Sequence, residues 1–288
     1  MSALALAYAG SGDAVYKDRL DGMVTALREC RDALAAAASL PTPRVAGRFG
    51  TAVRLTGCGA ANTGHSEHIS LPDGIVSGLH DFTIATWVNL AARTNSTRVF
   101  DFGTSSDVHM FLTANEAGAP RFGITTSGTG GEQRINGTSQ LPVGEWTHLA
   151  VTLSGSVGTL YVNGAPVATN TGMTLRPADL GTTTANWIGR SQFPQRTVEF
   201  LNASVDELHI HDRALSAAEV QSLTASATGT AGGGNVAAYR FDENEGPTAV
   251  DSSGNGRDAA IVAPTDGRRH PGFLAAYPET QFIRLEEF

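Results

Sequence analysis

The chain has 288 residues, of which 41% are hydrophobic and only 17% charged, with 33 glycines. That length holds one large or two small domains with full hydrophobic cores, and the composition suits a turn-rich β protein better than a helical or disordered one. A net charge of −8 argues against nucleic-acid binding and offers no basic patch for an anionic membrane surface.

The opening "SALALAYAG" reads as a short helix ending at Gly10. Residues 13–38 follow as a longer one, with Asp13 as N-cap and Tyr16, Leu20, Met23, Val24, Leu27 and Leu34 at helical spacing. Together they predict an αα-hairpin, too small to bury its own apolar stripe. The start has neither the basic n-region nor the cleavage site of a signal peptide, and Met1 reads as a start placed inside a larger protein. No apolar run reaches about 18 residues, so no transmembrane span is expected. Cys30 and Cys58 are too few for a disulfide framework or a four-thiolate zinc site; two free thiols and one bridge both remain open.

At "PTPR" (41–44) the character changes, and short β-type runs alternate with Gly, Asn, Asp and Thr turns to about residue 210. Among the clearest are "FTIATWVNL", "WTHLAVTLS" and "ASVDELHIH", and Asn163-Gly164 in "YVNGAP" signals a type I′ hairpin. So many strands without intervening helices predict an antiparallel sandwich or jelly roll. One short helix follows in "SAAEVQSL" (216–223), then a small, Gly-rich joiner over 224–234. "NVAAYRFDENEGPTAVDSSGNG" (235–256) looks like the opening of a domain although it stands near the end.

Several motifs together resemble the concanavalin A-like, laminin G-type jelly roll. They are "GRFGTAVRLTG" (47–57), "DFTIATWV" (81–88), "GEWTHLAVTLSGSVGTLYVNGAPVA" (144–168) and "VDELHIHDRALSAAEV" (205–220). In such domains the "YRFDENEG…DSSGNGRDA" stretch comes first, so the resemblance implies a circular permutation. The first and last strands would be rejoined by the Gly-rich segment at little loop-closure cost, with new ends near Thr265 and Pro43. A complete domain followed by a truncated second copy is the rival. Under permutation, 236–242 is expected to pair beside 204–211 and Asp251 to come near Asp206.

The flanks carry a second resemblance. Residues 2–34 and "PGFLAAYPETQFIRLEEF" look like consecutive pieces of the β-L-arabinofuranosidase family of glycoside hydrolases (family 127 type), a helical-barrel group. This implies three segments: 1–40 and 269–288 as fragments of the barrel, and 41–268 as a jelly roll inserted in one of its loops. A parent of this kind is expected to be secreted.

That family's cysteine nucleophile and cysteine–glutamate zinc site have no counterpart here, so no catalytic residue is carried over. Nor is there a GxSxG elbow, a GxGxxG after a strand, or a P-loop. Asp206-Glu207 in the closing-strand motif reads as structural, and His209, His211 and His65-x-x-His68 read as solvent-side strand residues more readily than as metal ligands. Jelly rolls of this type commonly hold a structural calcium, which the resemblance places at Asp251 and Asn255 with Asp206 as a third ligand. An Asx/Gly turn without metal is the other reading. Trp87 and Trp146 stand in motifs that normally face the core, which leaves Trp187, with Arg190 and Gln192, as the surface candidate for sugar stacking.

The expected function is a non-catalytic, carbohydrate-binding-type module that holds plant-type or microbial polysaccharide, arabinose-containing polymers included, near the parent's catalytic domain. The alternative is a structural or interface module that binds no sugar.

Overall fold

The computed structural model describes residues 44–57, 67–193, 200–226, 233–244 and 246–262. The expected N-terminal hairpin, the returning C-terminal segment, Cys30, Cys58 and His65 lie outside these residues. No helix among the described residues is long and apolar enough to cross a membrane.

Two antiparallel sheets make up the fold. The strands in chain order begin β1 (Arg44–Ala46), β2 (Thr51–Thr56), β3 (His68–Leu71) and β4 (Phe82–Leu90). β5 (Arg98–Ser105), β6 (Val108–Glu116), β7 (Ala119–Thr125) and β8 (Gln133–Asn136) form a meander. Then come β9 (Trp146–Ser154), β10 (Val157–Val162), β11 (Ala165–Asn170), β12 (Ala185–Ile188) and β13 (Asn202–His211). The helix α1 (Ala217–Leu223) precedes β14 (Asn235–Tyr239), β15 (Thr248–Ala249) and β16 (Ala259–Val262).

The first sheet runs β1-β2-β13-β4-β9-β10-β11, and β14 also pairs with β13. The second runs β15-β16-β3-β12-β5-β6-β7-β8. Asn163 and Gly164 both have positive φ, 51° and 80°, as a type I′ turn between β10 and β11 requires.

The late segment joins both sheets, and of the expected pairing of 236–242 the part up to Tyr239 lies beside the second half of β13. β2 pairs with the first half of β13 (Asn202–Val205), and β14 continues along the same strand, Leu208 opposite Tyr239 and His209 opposite Ala238. β16 pairs with β3, and β15 lies outside it as the edge of the second sheet. Across that edge, Arg44 at the start of β1 bonds to Glu243 at 3.0 Å and to the carbonyl of Thr248 at 3.3 Å.

Between the sheets lies one core. Ile84, Val88, Leu149, Val151, Leu208 and Ile210 from the first sheet meet Phe100, Phe102, Met110, Leu112, Phe122 and Ile188 from the second. A fully buried side chain of this size contributes roughly 1.5–3 kcal/mol. A smaller cluster lies on the first sheet's other face, where Leu215, Val220 and Leu223 pack on Ala85, Ala150 and Tyr161. The helix is fixed at its start by a capping box, with Ser216 accepting from the Glu219 amide and Glu219 accepting from Ser216.

Candidate functional site

α1 covers only part of the first sheet's outer face. Strand alternation puts Trp87 of β4 on that face, opposite His148 of β9 and Asp206 of β13. Beyond the C-terminal end of the helix the face opens into a shallow basin of about 360 Å³ lined by Arg48, Trp87, Trp146, Asn163 and Thr224.

The turn between β1 and β2 builds one wall, and a buried carboxylate holds it. Asp206 Oδ2 accepts from the amides of Arg48 (2.7 Å) and Phe49 (3.1 Å), and Oδ1 accepts from the amide of Glu207 (2.9 Å). A Cβ on Gly47 would lie 2.6 Å from Asp206 Oδ2, so only glycine lets the turn approach this closely. Burial pushes the Asp206 carboxyl up to about 7, opposed by those amide donors and assisted by the Glu207 charge.

The turn lays Arg48 over the floor of the basin. The exposed Arg48 guanidinium sits 4.8 Å from the Trp87 ring centre and 5.0 Å from that of Phe49. Phe49 meets Trp87 edge-on at 6.3 Å, and His148 meets it at 5.3 Å. Trp87 is 5% exposed, and its indole N–H has no hydrogen-bond partner. Trp146 stands half-exposed at the start of β9. On the β10–β11 turn, Asn163 accepts from the His148 amide through Oδ1 at 2.9 Å and donates its own amide to the His148 carbonyl at 2.8 Å. Burial, then the nearby His209, pulls His148 down to about 3, so it stays neutral at ordinary pH.

Next to Asp206, Glu207 takes the left-handed conformation (φ 49°) in a bulge of β13. One of its carboxylate oxygens is 3.3 Å from His209 Nε2 and the other is buried without a partner. His209 and His211 were expected to face solvent. Instead His211 is buried, and His209 keeps only 12% of its side chain exposed.

The residues anticipated for sugar stacking lie on the outer face of the second sheet. Trp187, on β12, is half-buried, with the Arg190 guanidinium 4.2 Å above its ring and the His68 ring edge-on at 6.0 Å. Burial lowers the Arg190 pKa. Gln192 is buried and not on an open loop: its Nε2 donates to the Ala185 carbonyl at 2.6 Å, and its amide donates to Asp101 at 3.0 Å. Asp101 also holds Arg98 and His109 at 3.2 and 2.8 Å. The three anticipated residues are therefore braced against the protein, with one ring face already occupied.

The anticipated calcium ligands are likewise engaged elsewhere. Asp251 Oδ1 accepts from the amides of Ala238 and Ser253, and Oδ2 accepts from that of Arg257, all at 2.9–3.0 Å. Asn255 turns its Nδ2 to the carbonyls of Asn235 and Val236. Asp206 closes on the β1–β2 turn, and no group of three or more acidic, His or Cys side chains among the described residues is arranged to hold a metal ion. Calcium needs six to eight oxygens, and in this conformation these side chains are turned to the protein's own backbone groups. The loop is an Asx turn that pins β14.

Trp87 and Trp146 were expected to face the core and do not. The signal was in the sequence: Phe82, Ile84, Val88 and Leu90 share one phase of β4, and Trp87 stands on the other. β9 repeats this, with Leu149, Val151 and Leu153 inward and Trp146 and His148 outward.

Comparison with known proteins agrees with this architecture. Residues 62–221, more than half of the chain, match the family described as the concanavalin A-like lectin/glucanases superfamily. No curated protein sequence matches the chain. Domain 4 of AbnA, a GH43 extracellular arabinanase from Geobacillus stearothermophilus solved in complex with arabinotriose, is similar in structure. Its TM-score is 0.52 at 23% identity, covering 63% of this chain and 80% of that one. A heptameric SAP-like pentraxin from Limulus polyphemus aligns with a TM-score of 0.51 at 18% identity, covering 77% of this chain and all of the pentraxin.

Proposed function

This chain belongs to the concanavalin A-like lectin/glucanases superfamily, and on that premise we propose that its jelly roll is a non-catalytic carbohydrate-binding module. The observation that carries the reading is the basin at the end of α1. A half-exposed Trp146 offers an apolar ring face to the C–H side of a sugar, and Arg48 and Asn163 set polar groups beside it. The arabinanase domain solved with arabinotriose supports the reading at the level of the fold.

The finer reading places this module inside a secreted bacterial glycoside hydrolase resembling β-L-arabinofuranosidases, as a circularly permuted insertion. The pairing of β14 with β13, and the bonds from Arg44 to Glu243 and Thr248, are the support for permutation. They set the first described strand beside the late segment, as rejoined ends require. The module's task is to hold polysaccharide near the catalytic domain.

Affinity electrophoresis and a glycan array with the chain and with Trp146→Ala test the reading. Retardation by at least one polysaccharide, weakened by Trp146→Ala, is the expected result. Uniform absence of binding would return the module to a structural or interface role, and hydrolysis of an arabinofuranoside by this chain alone would overturn its non-catalytic status.

A further inference from the structure

The basin has a one-sided hydrogen-bonding character. Arg48 and the indoles of Trp87 and Trp146 can only donate. The Asn163 Oδ1 already accepts from the His148 amide, which leaves its NH₂ group. Thr224 donates its hydroxyl to the Gln221 carbonyl at 2.7 Å and accepts from Gln221 Nε2 at 3.1 Å. Arg48 and the two indoles offer donors alone, and the two side-chain acceptors in the lining, Asn163 Oδ1 and the Thr224 hydroxyl, each already accept one bond. A neutral sugar hydroxyl both donates and accepts, whereas a carboxylate only accepts.

The charge arrangement agrees. Arg48 is exposed and forms no ion pair with a described carboxylate, although the chain as a whole carries a net charge of −8. Its guanidinium carbon lies 4.8 Å from the centre of the Trp87 ring and 5.0 Å from that of Phe49, two rings that stand nearly perpendicular to each other. These contacts hold the side chain beside the basin, and a guanidinium fork there can pair with a carboxylate through two parallel bonds. Of the buried carboxylates on this face, Asp206 accepts from three backbone amides, and Glu207 turns one oxygen to His209 while the other is buried without a partner. The Trp87 indole N–H is buried and without a partner in the same wall.

The geometry points to an acidic sugar, a uronate residue of a polysaccharide, as the ligand of this basin: its ring on Trp146 and its carboxylate on Arg48. This rests on the carbohydrate-binding reading above and narrows it.

Calorimetric titration with oligomers of galacturonate, glucuronate and mannuronate, each beside its carboxyl-reduced neutral counterpart, tests the assignment. At least one uronate oligomer should bind, with affinity that falls as salt rises, and its reduced counterpart should bind about tenfold or more weakly. Arg48→Gln should lose the same factor for the uronate and leave the reduced oligomer unchanged, and Arg48→Lys should recover part of it. The turn's own bonds to Asp206 come from backbone amides, so these substitutions leave the fold intact, which an unchanged melting temperature would verify. Trp187→Ala should bind as the parent chain does. Equal affinity for the reduced oligomers, an indifferent Arg48→Gln, or loss of binding in Trp187→Ala alone would overturn the assignment. If only neutral glycans bind, the uronate assignment falls while the carbohydrate-binding reading stands; if no glycan of any kind binds, both fall.

Discussion

Acidification should act on this protein through three buried groups that pull in opposite directions. Burial and the neighbouring His209 hold His148 down to about 3 and His211 to about 4, against 6.5 for an ordinary histidine. Between pH 6.5 and 4 the unfolded chain therefore binds two protons that the folded chain refuses, and stability falls as pH falls through that window. At pH 5 each histidine costs about 2 kcal/mol relative to pH 8. Asp206 runs the other way. Its folded value of about 7 lies above the unfolded 3.8, so the folded state binds the extra proton below pH 7 and gains roughly 2–3 kcal/mol by pH 5. The sum is a net loss of roughly 1–2 kcal/mol between pH 8 and pH 5.

Urea unfolding at pH 8, 7, 6 and 5 measures it, and variants separate the parts. His148→Gln or His211→Gln should abolish the net loss, because each histidine contributes about 2 kcal/mol, as much as the whole net. Asp206→Asn should raise the loss to about 4 kcal/mol, whatever its baseline stability, since only the difference between pH values is read. If His148→Gln kept the parent's pH dependence, the claim that this histidine is held neutral under the basin would be refuted.

Other substitutions probe the frame around the site. Gly123→Ala should destabilise by about 1–3 kcal/mol in urea unfolding, because a Cβ there would meet the buried Phe111 ring at 2.6 Å. Asp251→Ala, which removes the acceptor for three backbone amides beside β14, should cost about 2–3 kcal/mol by the same measurement. Millimolar calcium should leave the melting temperature of the parent chain unchanged; a rise that Asp251→Ala abolished would mean the loop rearranges to bind the ion. Ser216→Ala should lower stability by about 1 kcal/mol through loss of the α1 cap, with sugar binding unaffected.

Much of the architecture follows from local rules that the chain obeys strictly. Period-2 alternation in "FTIATWVNL" and "WTHLAVTLS" marks central strands, and Asn163-Gly164 sets a type I′ turn. The late "NVAAYRF" has the apolar character of an inner strand and pairs with β13. The same alternation placed Trp87 and Trp146 on the outer face, since their phase is opposite to that of the buried Ile, Val and Leu. Motif resemblance suggested the core for both, and strand phase was the better guide.

What the linear sequence could not reveal is which polar groups find partners across the fold. Asp206 reads as an acidic strand residue, and only the fold brings the turn at 47–50 onto it from the other end of the domain. Asp251 and Asn255 have the composition of a calcium loop, but the donors that meet them come from β14 and their own turn. Trp187 looked open in "NWIGRSQF", and only the folded chain lays Arg190 across it. A side chain's type and phase are local properties and can be read along the chain. Its hydrogen-bond partner depends on segments far apart in sequence, and only tertiary packing determines which of them meet.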